Sequence, residues 1–288
     1  MRCLILGGDG MLGHQLMATL SARSAVKCTL RQGASAYAQY GLFNGDNAWF
    51  DVDVRNQERL LEIVGEYQPD VIVNAVGIVK QRAESHDVIP SLEINSLLPH
   101  KLSVLCKAAG ARLIHVSTDC VFDGKDGGYT EDSPSNATDV YGKSKFLGEV
   151  HDAHALTLRT SIIGFELSRK TGLLEWFLAQ KGPVKGFRNA IFSGFTTVEL
   201  SRIIDKMIHE HPQASGLYQV SSDAIDKYTL LTIVRDKFGL TTEIVPDEAF
   251  HCDRSLNSSR FRRAFGYTPP GWDAQIGELA ATARGRAQ

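Results

Sequence analysis

Short apolar segments alternate with longer amphipathic segments along the chain. The apolar segments are Arg2–Leu6, Ala25–Leu30, Trp49–Val54, Pro69–Gly77, Arg112–Asp119 and Leu156–Ile163. Near-continuous apolar strands that alternate with amphipathic helices are typical of a doubly wound parallel sheet, which is covered on both faces. Gly216–Val220 predicts a late strand that returns to this sheet. The pattern therefore predicts an α/β fold whose ligands bind beyond the carboxyl ends of the strands.

A glycine-rich turn follows the first apolar segment. Residues 7–13 read Gly-Gly-Asp-Gly-Met-Leu-Gly, and a helical pattern begins directly after them. A strand, a glycine turn and a helix N-terminus in this order cradle a phosphate, because bare backbone approaches the ligand and the helix end attracts its charge. The glycines fit two registers, 7-10-13 and 8-10-13, with the same role. We therefore predict a Rossmann-type dinucleotide site formed by Gly7, Gly10, Met11, Leu12 and Gly13.

The ends of the second and third apolar segments indicate which dinucleotide binds. An acidic residue after the second strand suits the ribose 2′-hydroxyl of NAD, whereas an arginine suits the 2′-phosphate of NADP. Arg31 stands there, so we expect NADPH, with NADH as the alternative; an ordinary exposed arginine is an equally good interpretation. Asp53 near the end of the third segment can accept a hydrogen bond from the adenine amino group, or cap the helix that follows.

Tyr141 and Lys145 form the most informative pair in the sequence. In a helix, their spacing places both side chains on one face, one turn apart. A nearby ammonium favours the phenolate, which lowers the pKa of a tyrosine towards the range useful for proton transfer to a carbonyl oxygen. The pair alone also fits a helix face with apolar stems and polar tips. Together with the glycine turn, it predicts redox chemistry at a C=O or CH–OH centre.

Amide and hydroxyl side chains end the later apolar segments. Asn74 and Ala75 follow the fourth strand, Ser117 and Thr118 end the fifth, and Thr160 lies in the sixth. Because the carboxyl ends of parallel strands share one edge of the sheet, we expect these residues to lie near the glycine turn. Asn74, Ala75, Ser117 and Thr160 are our candidates for contact with the cofactor.

The length of the chain allows a second, smaller lobe. A chain of 288 residues with 43% hydrophobic content can bury a substantial core. We expect residues 1–164 with 195–221 to form the Rossmann domain, and residues 165–194 with 222–288 to form a smaller, discontinuous α/β lobe that binds substrate. Within that lobe, Leu173–Leu178 predicts an amphipathic helix, and we expect Trp176 to fill the core.

Composition and charge exclude several classes. A net charge of -2 with dispersed basic residues provides no basic field for nucleic acid. The five cysteines lack C-x-x-C spacing, give no zinc signature and favour reduced thiols in a cytoplasm. No apolar run is long enough to span a bilayer, so we expect neither membrane insertion nor secretion. We therefore expect a cytoplasmic protein without a metal site, and leave its oligomeric state open, a homodimer included.

The order of the motifs along the chain resembles that of the extended short-chain dehydrogenase/reductases. The motifs are Gly7 to Gly13, Asn74-Ala75, Ser117-Thr118-Asp119 followed by Val121-Phe122-Asp123-Gly124, Tyr141 with Lys145, and Arg159-Thr160-Ser161. Within that superfamily the chain is most similar to the dTDP-4-dehydrorhamnose reductase family, over nearly its whole length. The resemblance implies NADPH-dependent reduction of the C4 ketone of a nucleotide-linked 4-keto-6-deoxyhexose, in deoxysugar and surface polysaccharide biosynthesis.

The resemblance assigns a catalytic trio. It implies that Tyr141 protonates the C4 ketone oxygen and that Thr118 hydrogen-bonds the same oxygen, so that both stabilise the charge that develops there. Lys145 tunes the phenol and holds the nicotinamide ribose. Asn95 matches an asparagine that supports the site in the wider superfamily.

The implied substrate contacts lie mainly in the smaller lobe. Asn189 and Phe192 belong to a segment that matches a family loop near the substrate. Arg254 matches an arginine that approaches the nucleotide diphosphate, which suits its bidentate donors, and a surface salt bridge is the alternative. Weaker candidates for substrate contact are Lys80 and Arg82.

One position separates two reactions of the superfamily. Dehydratases have Asp-Glu after the threonine, because elimination of water needs a base and an acid there, whereas this chain has Asp119-Cys120. The reductase family often has a tyrosine where Cys120 stands, so this chain lacks an aromatic contact and a hydroxyl there. We interpret Cys120 as a small, semi-buried residue rather than a catalytic thiol. The missing glutamate predicts a reductase that acts after a dehydratase.

Two other functions share these motifs. A nucleotide-sugar epimerase would use the same trio with a retained NAD and no net consumption of NADPH. A non-catalytic, NADP-binding regulatory subunit would have less need of Thr118, Tyr141 and Lys145, all of which are present. The trio therefore favours an enzyme over a regulatory subunit.

Overall fold

The computed structural model describes residues 1–79 and 87–286, with side chains up to residue 283. The strands are β1 Arg2–Leu6, β2 Ala25–Thr29, β3 Ala48–Trp49, β4 Val71–Asn74, β5 Arg112–Thr118, β6 Ala155–Thr160, β7 Ile162–Ile163, β8 Val184–Phe187, β9 Ala190–Phe192, β10 Phe195–Thr196, β11 Gly216–Gln219, β12 Ile225–Asp226, β13 Ile244–Asp247 and β14 Cys252–Asp253. The α-helices are α1 Gly13–Leu20, α2 Ala34–Tyr37, α3 Gln57–Tyr67, α4 Val88–Ser91, α5 Leu98–Ala109, α6 Val140–Leu147, α7 Leu173–Leu178, α8 Thr197–His209, α9 Lys227–Phe238, α10 Ser259–Phe265 and α11 Trp272–Arg286. A π-helical segment, Leu92–Leu97, joins α4 to α5.

Seven strands form one sheet in the order β11-β6-β5-β4-β1-β2-β3. The pairings of β1 with β2 and β4, of β2 with β3, and of β4 with β5 are parallel. Six of these strands follow the order 3-2-1-4-5-6, in which dinucleotides bind where the direction of winding reverses. The predicted Rossmann-type α/β fold is confirmed, and the late strand β11 lies at the edge of the sheet.

The third predicted strand is wrong in its length. We expected Trp49–Val54, but β3 ends at Trp49, and Asp51 has a left-handed backbone with φ 59°. Val52 and Val54 are nevertheless buried in the core. The apolar residues after Trp49 therefore belong to a buried loop. A short apolar run in a sequence looks the same whether it forms a buried loop or a buried strand.

Contacts divide the chain into two compact units. Unit 1 comprises Met1–Ser117, Asp139–Leu158 and Ser201–Leu217, and unit 2 comprises Thr118–Thr138, Arg159–Leu200 and Tyr218–Gln288. This division places residues 118–138 and 159–164 in unit 2. Backbone hydrogen bonds join the first of these segments to the rest of unit 2, from Asp253 to Gly124 and from Tyr129 to Ser255. The domain boundaries given by the sequence stay a prediction.

The core of unit 1 shows how an amphipathic helix covers the sheet. Asn56 caps α3, since its side-chain oxygen accepts the backbone N–H of Arg59 at 3.1 Å, and such caps contribute about 1 kcal/mol. The helix buries Leu60, Ile63 and Val64 at helical spacing. Side chains of the same cluster from the sheet and α5 are Leu4, Leu6, Ile72, Leu98, Leu102 and Leu113.

Unit 2 has a core of its own, and one prediction about it is wrong. The helix α7 buries Leu174 and Phe177, which lie three residues apart and share one face. Trp176 lies off that face and is 40% exposed, whereas we expected it to fill the core. Other members of this cluster are Ile163, Val184, Leu230, Leu231, Val234, Trp272, Ile276 and Leu279.

Within the described ranges, no helix combines the length and the apolarity needed to cross a membrane.

Candidate active site

The glycine turn between β1 and α1 leaves no room for side chains. Gly7 has φ +81°, a left-handed conformation that favours glycine. A Cβ atom on Gly13 would overlap the carbonyl oxygen of Gly7, and one on Gly8 would overlap the sulfur of Cys28. The N–H of Gly10 donates to the Gly7 carbonyl at 3.1 Å, which closes the turn. Gly7, Gly8 and Gly13 are therefore positions where a larger residue would not fit.

The glycine turn leads directly into the N-terminus of α1, which suits an anion. The helix α1 carries no acidic residue in its first turn, so its positive end is not neutralised there. Met11 is half-buried and Leu12 is 5% exposed. His14, which the sequence did not single out, donates through Nδ1 to the Gly10 carbonyl at 2.8 Å. A cradle of bare backbone at a helix N-terminus fits a diphosphate.

Arg31 and Asp53 lie after the second and third strands of unit 1. Arg31 directly follows the buried Leu30 and is exposed. The Asp53 carboxylate binds the Arg55 guanidinium through two nitrogens, at 3.0 and 2.5 Å. Hydrogen bonds from Arg55, with a smaller contribution from the charge of Arg31, lower the pKa of Asp53 to about 2. The proposed adenine contact of Asp53 stays a prediction, and the cap of α3 is Asn56 instead.

Asn74 ends β4 with its side chain fully engaged. Its Oδ1 accepts the N–H of Val76 at 3.1 Å, and its Nδ2 donates to Nδ1 of His115 at 3.1 Å. A Cβ atom on Gly7 would lie 2.9 Å from the Val76 side chain, so this bend packs directly against the glycine turn. Asn74 thus shapes the segment that contains Ala75, whereas His115 was not among the predicted site residues.

The Tyr141–Lys145 pair lies on α6, as its spacing predicts. Asp139 caps this helix, because its carboxylate accepts the N–H of Gly142 at 2.7 Å. Tyr141 is half-buried, and Lys145 is 5% exposed. The Lys145 ammonium donates to the carbonyl of Val116 at 2.8 Å. Burial lowers the pKa of Lys145 from 10.5 to about 8, and the charge of Glu149 opposes this effect.

Asn95 fastens α6 from the π-helical segment. Its Oδ1 accepts the N–H of Ile78 at 2.9 Å, and its Nδ2 donates to the Ile78 carbonyl at 3.1 Å and to Oγ of Ser144 at 3.2 Å. Ser144 in turn donates to the carbonyl of Tyr141 at 2.9 Å. Asn95 is 1% exposed, so these bonds are shielded from water. π-Helical turns inside helices occur frequently at functional sites.

A buried carboxylate next to these residues was missed by sequence reasoning. Ser117 donates to Oε1 of Glu149 at 2.7 Å, and the two residues are 3% and 5% exposed. Glu149 lies four residues after Lys145, a spacing that repeats the one between Tyr141 and Lys145. That repeat was a signal in the sequence. Unit 1 thus brings together Asn95, Tyr141, Lys145, Ser117 and Glu149.

Thr118 and Cys120 belong to unit 2. The Thr118 hydroxyl donates to Oδ1 of Asp119 at 3.2 Å and accepts the N–H of Cys120 at 3.2 Å. Desolvation raises the pKa of the Cys120 thiol to about 12, which agrees with an unreactive thiol. Thr160, also in unit 2, is 2% exposed and donates to the carbonyl of Ser161 at 3.3 Å.

The implied substrate residues of unit 2 make contacts of their own. Arg254 donates through Nε to the carbonyl of Phe122 at 2.8 Å and through Nη2 to that of Asp123 at 3.1 Å. Asn189 donates to the Glu248 carbonyl at 2.8 Å. Phe192 lies in strand β9, with its ring 5.5 Å from that of Trp272. Their substrate roles stay predictions, and those of Lys80 and Arg82 lie outside the described residues.

Among the residues with described positions, no group of three or more His, Cys, Asp or Glu side chains could hold a metal ion.

The sheet order, the glycine turn and the Tyr-x-x-x-Lys helix together define the class of the extended short-chain dehydrogenase/reductases. The family model described as the RmlD substrate binding domain matches residues 1–182. The chain belongs to this family.

Curated relatives agree with this assignment. The spore coat polysaccharide biosynthesis protein SpsK of Bacillus subtilis is 27% identical over 201 residues, which cover 67% of this chain and 70% of that protein. The dTDP-4-dehydrorhamnose reductase of Aggregatibacter actinomycetemcomitans is 25% identical over 98% of this chain and 99% of its own. Three further relatives, at 31–33% identity, are matched over only 43–54% of their own length.

Solved structures share the fold. The dTDP-4-dehydrorhamnose reductase of Bacillus anthracis, in complex with NADP, superposes with a TM-score of 0.77. The superposition covers 98% of this chain and 99% of that one, at 20% sequence identity. This superposition confirms the fold, and the family model confirms the resemblance to the family.

Proposed function

We propose that this protein uses NADPH to reduce the C4 ketone of a nucleotide-linked 4-keto-6-deoxyhexose, in deoxysugar and surface polysaccharide biosynthesis. The observation that carries the proposal is the helix α6, on which a buried ammonium lies one turn from a half-buried phenol. Membership of the RmlD family supports the class of substrate. The names of the curated relatives, which include dTDP-4-dehydrorhamnose reductase, support the reaction.

The residues of unit 1 fit a dinucleotide cofactor. Gly7, Gly10 and Gly13 leave bare backbone at the start of α1, where a Cβ atom would fill the cradle. Met11 and Leu12 would complete this wall, and Asn74, Ala75 and Ser117 would contact the cofactor. Thr160, from unit 2, is a further candidate for contact with the cofactor. Arg31 would meet the 2′-phosphate, which favours NADPH over NADH. When bound, this cofactor supplies the hydride that reduces the ketone.

The protein's own part of the reaction is to deliver a proton and to stabilise charge. Tyr141 donates its hydroxyl proton to the ketone oxygen as negative charge develops on it. The ammonium of Lys145 makes this possible at neutral pH, because a nearby positive charge stabilises the phenolate that remains. Thr118 donates a second hydrogen bond to the same oxygen. Asn95 supports the site by fixing Ser144 and hence the backbone of Tyr141.

Substrate recognition is assigned to unit 2. Asn189 and Phe192 contact the sugar nucleotide, and Arg254 contacts its diphosphate. The hydrogen bonds of Arg254 to the carbonyls of Phe122 and Asp123 hold its guanidinium in a defined orientation. The Asp119-Cys120 pair lacks the glutamate of dehydratases, which supports reduction rather than elimination. We place the reaction in the cytoplasm.

The proposal is tested with purified protein and a panel of nucleotide-linked 4-ketosugars. NADPH oxidation followed by absorbance should depend on the sugar, and a 4-keto-6-deoxyhexose should be the best substrate. The product should carry a hydroxyl at C4, detected by mass spectrometry as a gain of two hydrogens. Tightly bound NAD, with sugar interconversion but no NADPH consumption, would establish the epimerase alternative instead.

A further inference from the structure

Two side chains join the end of α6 to the end of β5. Lys145 donates to the carbonyl of Val116 at 2.8 Å, and Glu149 accepts from the hydroxyl of Ser117 at 2.7 Å. Lys145 and Glu149 lie four residues apart, and their partners Val116 and Ser117 are adjacent in β5. They therefore bring a buried ammonium and a buried carboxylate to the same short stretch of β5.

The turn after α6 fixes where Glu149 lies. The N–H of Gly148 donates to the Lys145 carbonyl at 3.1 Å, and the N–H of Glu149 donates to the Phe146 carbonyl at 3.1 Å. A Cβ atom on Gly148 would overlap the backbone carbonyl of Asn95, so the turn rests directly on the π-helical segment. This close approach fixes the backbone at the position before Glu149.

A buried carboxylate at this place has an electrostatic effect on Lys145. Burial alone favours the neutral amine, whereas an opposite charge favours the ammonium. Glu149 is the charged group that raises the pKa of Lys145. From β5, His115 also faces Lys145, but burial and the charges of Lys145 and His100 hold the pKa of His115 well below 6.5, so it is neutral. In the part of the chain with described positions, Glu149 therefore supplies the charge that opposes desolvation.

We propose that Glu149 is a positioning residue, which keeps Lys145 in its charged form and anchors Ser117 through the same carboxylate. The functional unit is then Tyr141 and Lys145 on α6 together with Glu149, two residues after the end of the helix. The inference rests on the proposed role of Lys145 in tuning the phenol. Its consequence is that Glu149 sets the pH above which the site fails, although it touches neither substrate nor cofactor.

The test compares Glu149→Gln with a matched control, Glu199→Gln. The glutamine at 149 keeps an oxygen that can accept from Ser117 and removes the charge. Glu199 is also a buried carboxylate, 7% exposed, which accepts from the hydroxyl of Tyr267 at 2.7 Å in unit 2. The control thus reports the general cost of replacing a buried glutamate.

The first measurement is direct and needs no substrate. Lysine labelled with ¹³C at Cε is titrated by NMR in the cofactor-free protein, with the signal assigned through Lys145→Arg. We expect the titration midpoint of Lys145 to fall by about one pH unit in Glu149→Gln and to stay unchanged in Glu199→Gln. An unchanged midpoint in Glu149→Gln would overturn the proposal, whatever the protein reduces.

The second measurement is the pH dependence of kcat/KM for NADPH oxidation with the best ketosugar. The alkaline limb should shift to lower pH in Glu149→Gln, with activity near pH 6 largely kept. A uniform loss at every pH would show a purely structural role and contradict the proposal. If no ketosugar is reduced, the proposed function fails, while the NMR titration still decides the role of Glu149.

A third variant covers the case in which Glu149→Gln does not fold. Glu149→Asp keeps the charge on a shorter side chain, so it should weaken the Ser117 contact while Lys145 titrates close to its wild-type midpoint. A midpoint lowered by one pH unit in Glu149→Asp would overturn the proposal, because the retained charge would then have no effect.

Discussion

The side-chain amide of Asn74 donates to Nδ1 of His115, which fixes the tautomer of this histidine. The orientation of the amide follows from Val76, whose N–H occupies the Asn74 oxygen. His115 therefore carries its proton on Nε2, a buried atom for which the described residues provide no hydrogen-bond partner. A histidine held in this way is neutral, and its neutrality has a measurable effect on stability.

We expect the free energy of unfolding to fall on acidification because of His115. The pKa of His115 is lowered in the folded state. Below pH 6.5, His115 therefore binds a proton in the unfolded chain but stays neutral in the native protein. Each pH unit below this point should cost up to about 1.4 kcal/mol. Urea titrations at pH 5, 6 and 7 should show this loss in the wild type and less of it in His115→Gln. The exposed His151→Gln is the control, and an equal slope in both variants would contradict the assignment.

Replacement of Lys145 by methionine should remove an alkaline pH dependence of the stability. The pKa of Lys145 falls from 10.5 to about 8 on folding, so the burial of its charge costs roughly 3 kcal/mol below pH 8. This cost disappears as the pH rises from 8 to 10.5, because the unfolded chain then loses its extra proton. The free energy of unfolding of the wild type should therefore rise relative to that of Lys145→Met across this range. The exposed Lys143→Met on the same helix should show no such trend in urea titrations.

Tyr141→Phe should abolish most of the turnover and preserve cofactor binding. The phenylalanine keeps the ring and removes the proton that is donated to the ketone oxygen, and loss of a general acid lowers kcat by roughly 10²–10⁴-fold. NADPH affinity, measured by fluorescence titration, should stay near the wild-type value. Undiminished turnover would exclude Tyr141 as the acid.

Arg31→Ala should weaken NADPH binding more than NADH binding. A hydrogen-bonded charge pair with the 2′-phosphate contributes about 1.5–3 kcal/mol, which corresponds to a preference of roughly tenfold or more. Binding of the two cofactors is compared by calorimetry. Arg59→Ala, which removes an exposed pair with Glu62, is the control. Equal losses for both cofactors would remove the assignment of Arg31.

Gly13→Ala should damage the cofactor site through one methyl group. The added Cβ atom would overlap the Gly7 carbonyl, which is backbone and cannot move aside as a flexible side chain can. We expect a loss of about 1–3 kcal/mol in unfolding free energy, together with weaker NADPH binding. Gly45→Ala, whose new methyl group meets no atom within 4 Å, should leave both unchanged.

The sequence predicted well those features that are determined by residues close together in the chain. The glycine turn needs bare backbone wherever it occurs, and the spacing of Tyr141 and Lys145 determines their shared face once a helix forms. By contrast, Trp176 and the segment after Trp49 were predicted wrongly. Whether Trp176 is buried depends on which face of α7 meets the core, and a helix of six residues gives too short a pattern to decide this.

The residues that the sequence did not reveal depend on partners far along the chain. His115 meets Asn74 from a neighbouring strand, and Glu149 meets Ser117 across 32 positions. A histidine and a glutamate in isolation carry no sign of such partners. Burial creates their importance, because it removes the water that would otherwise satisfy a polar group. Only the folded structure shows which polar side chains are buried away from water.

The number of residues in the π-helical segment around Asn95 helps to determine the geometry of the site. An α-helix advances by about 100° per residue, so the removal of one residue between Asn95 and α5 would turn Asn95 by that angle relative to α5. Asn95 could then no longer face both Ile78 and Ser144. A deletion that left every named side chain in the sequence would misdirect the support of Tyr141, so the number of residues in this segment matters as much as their identity.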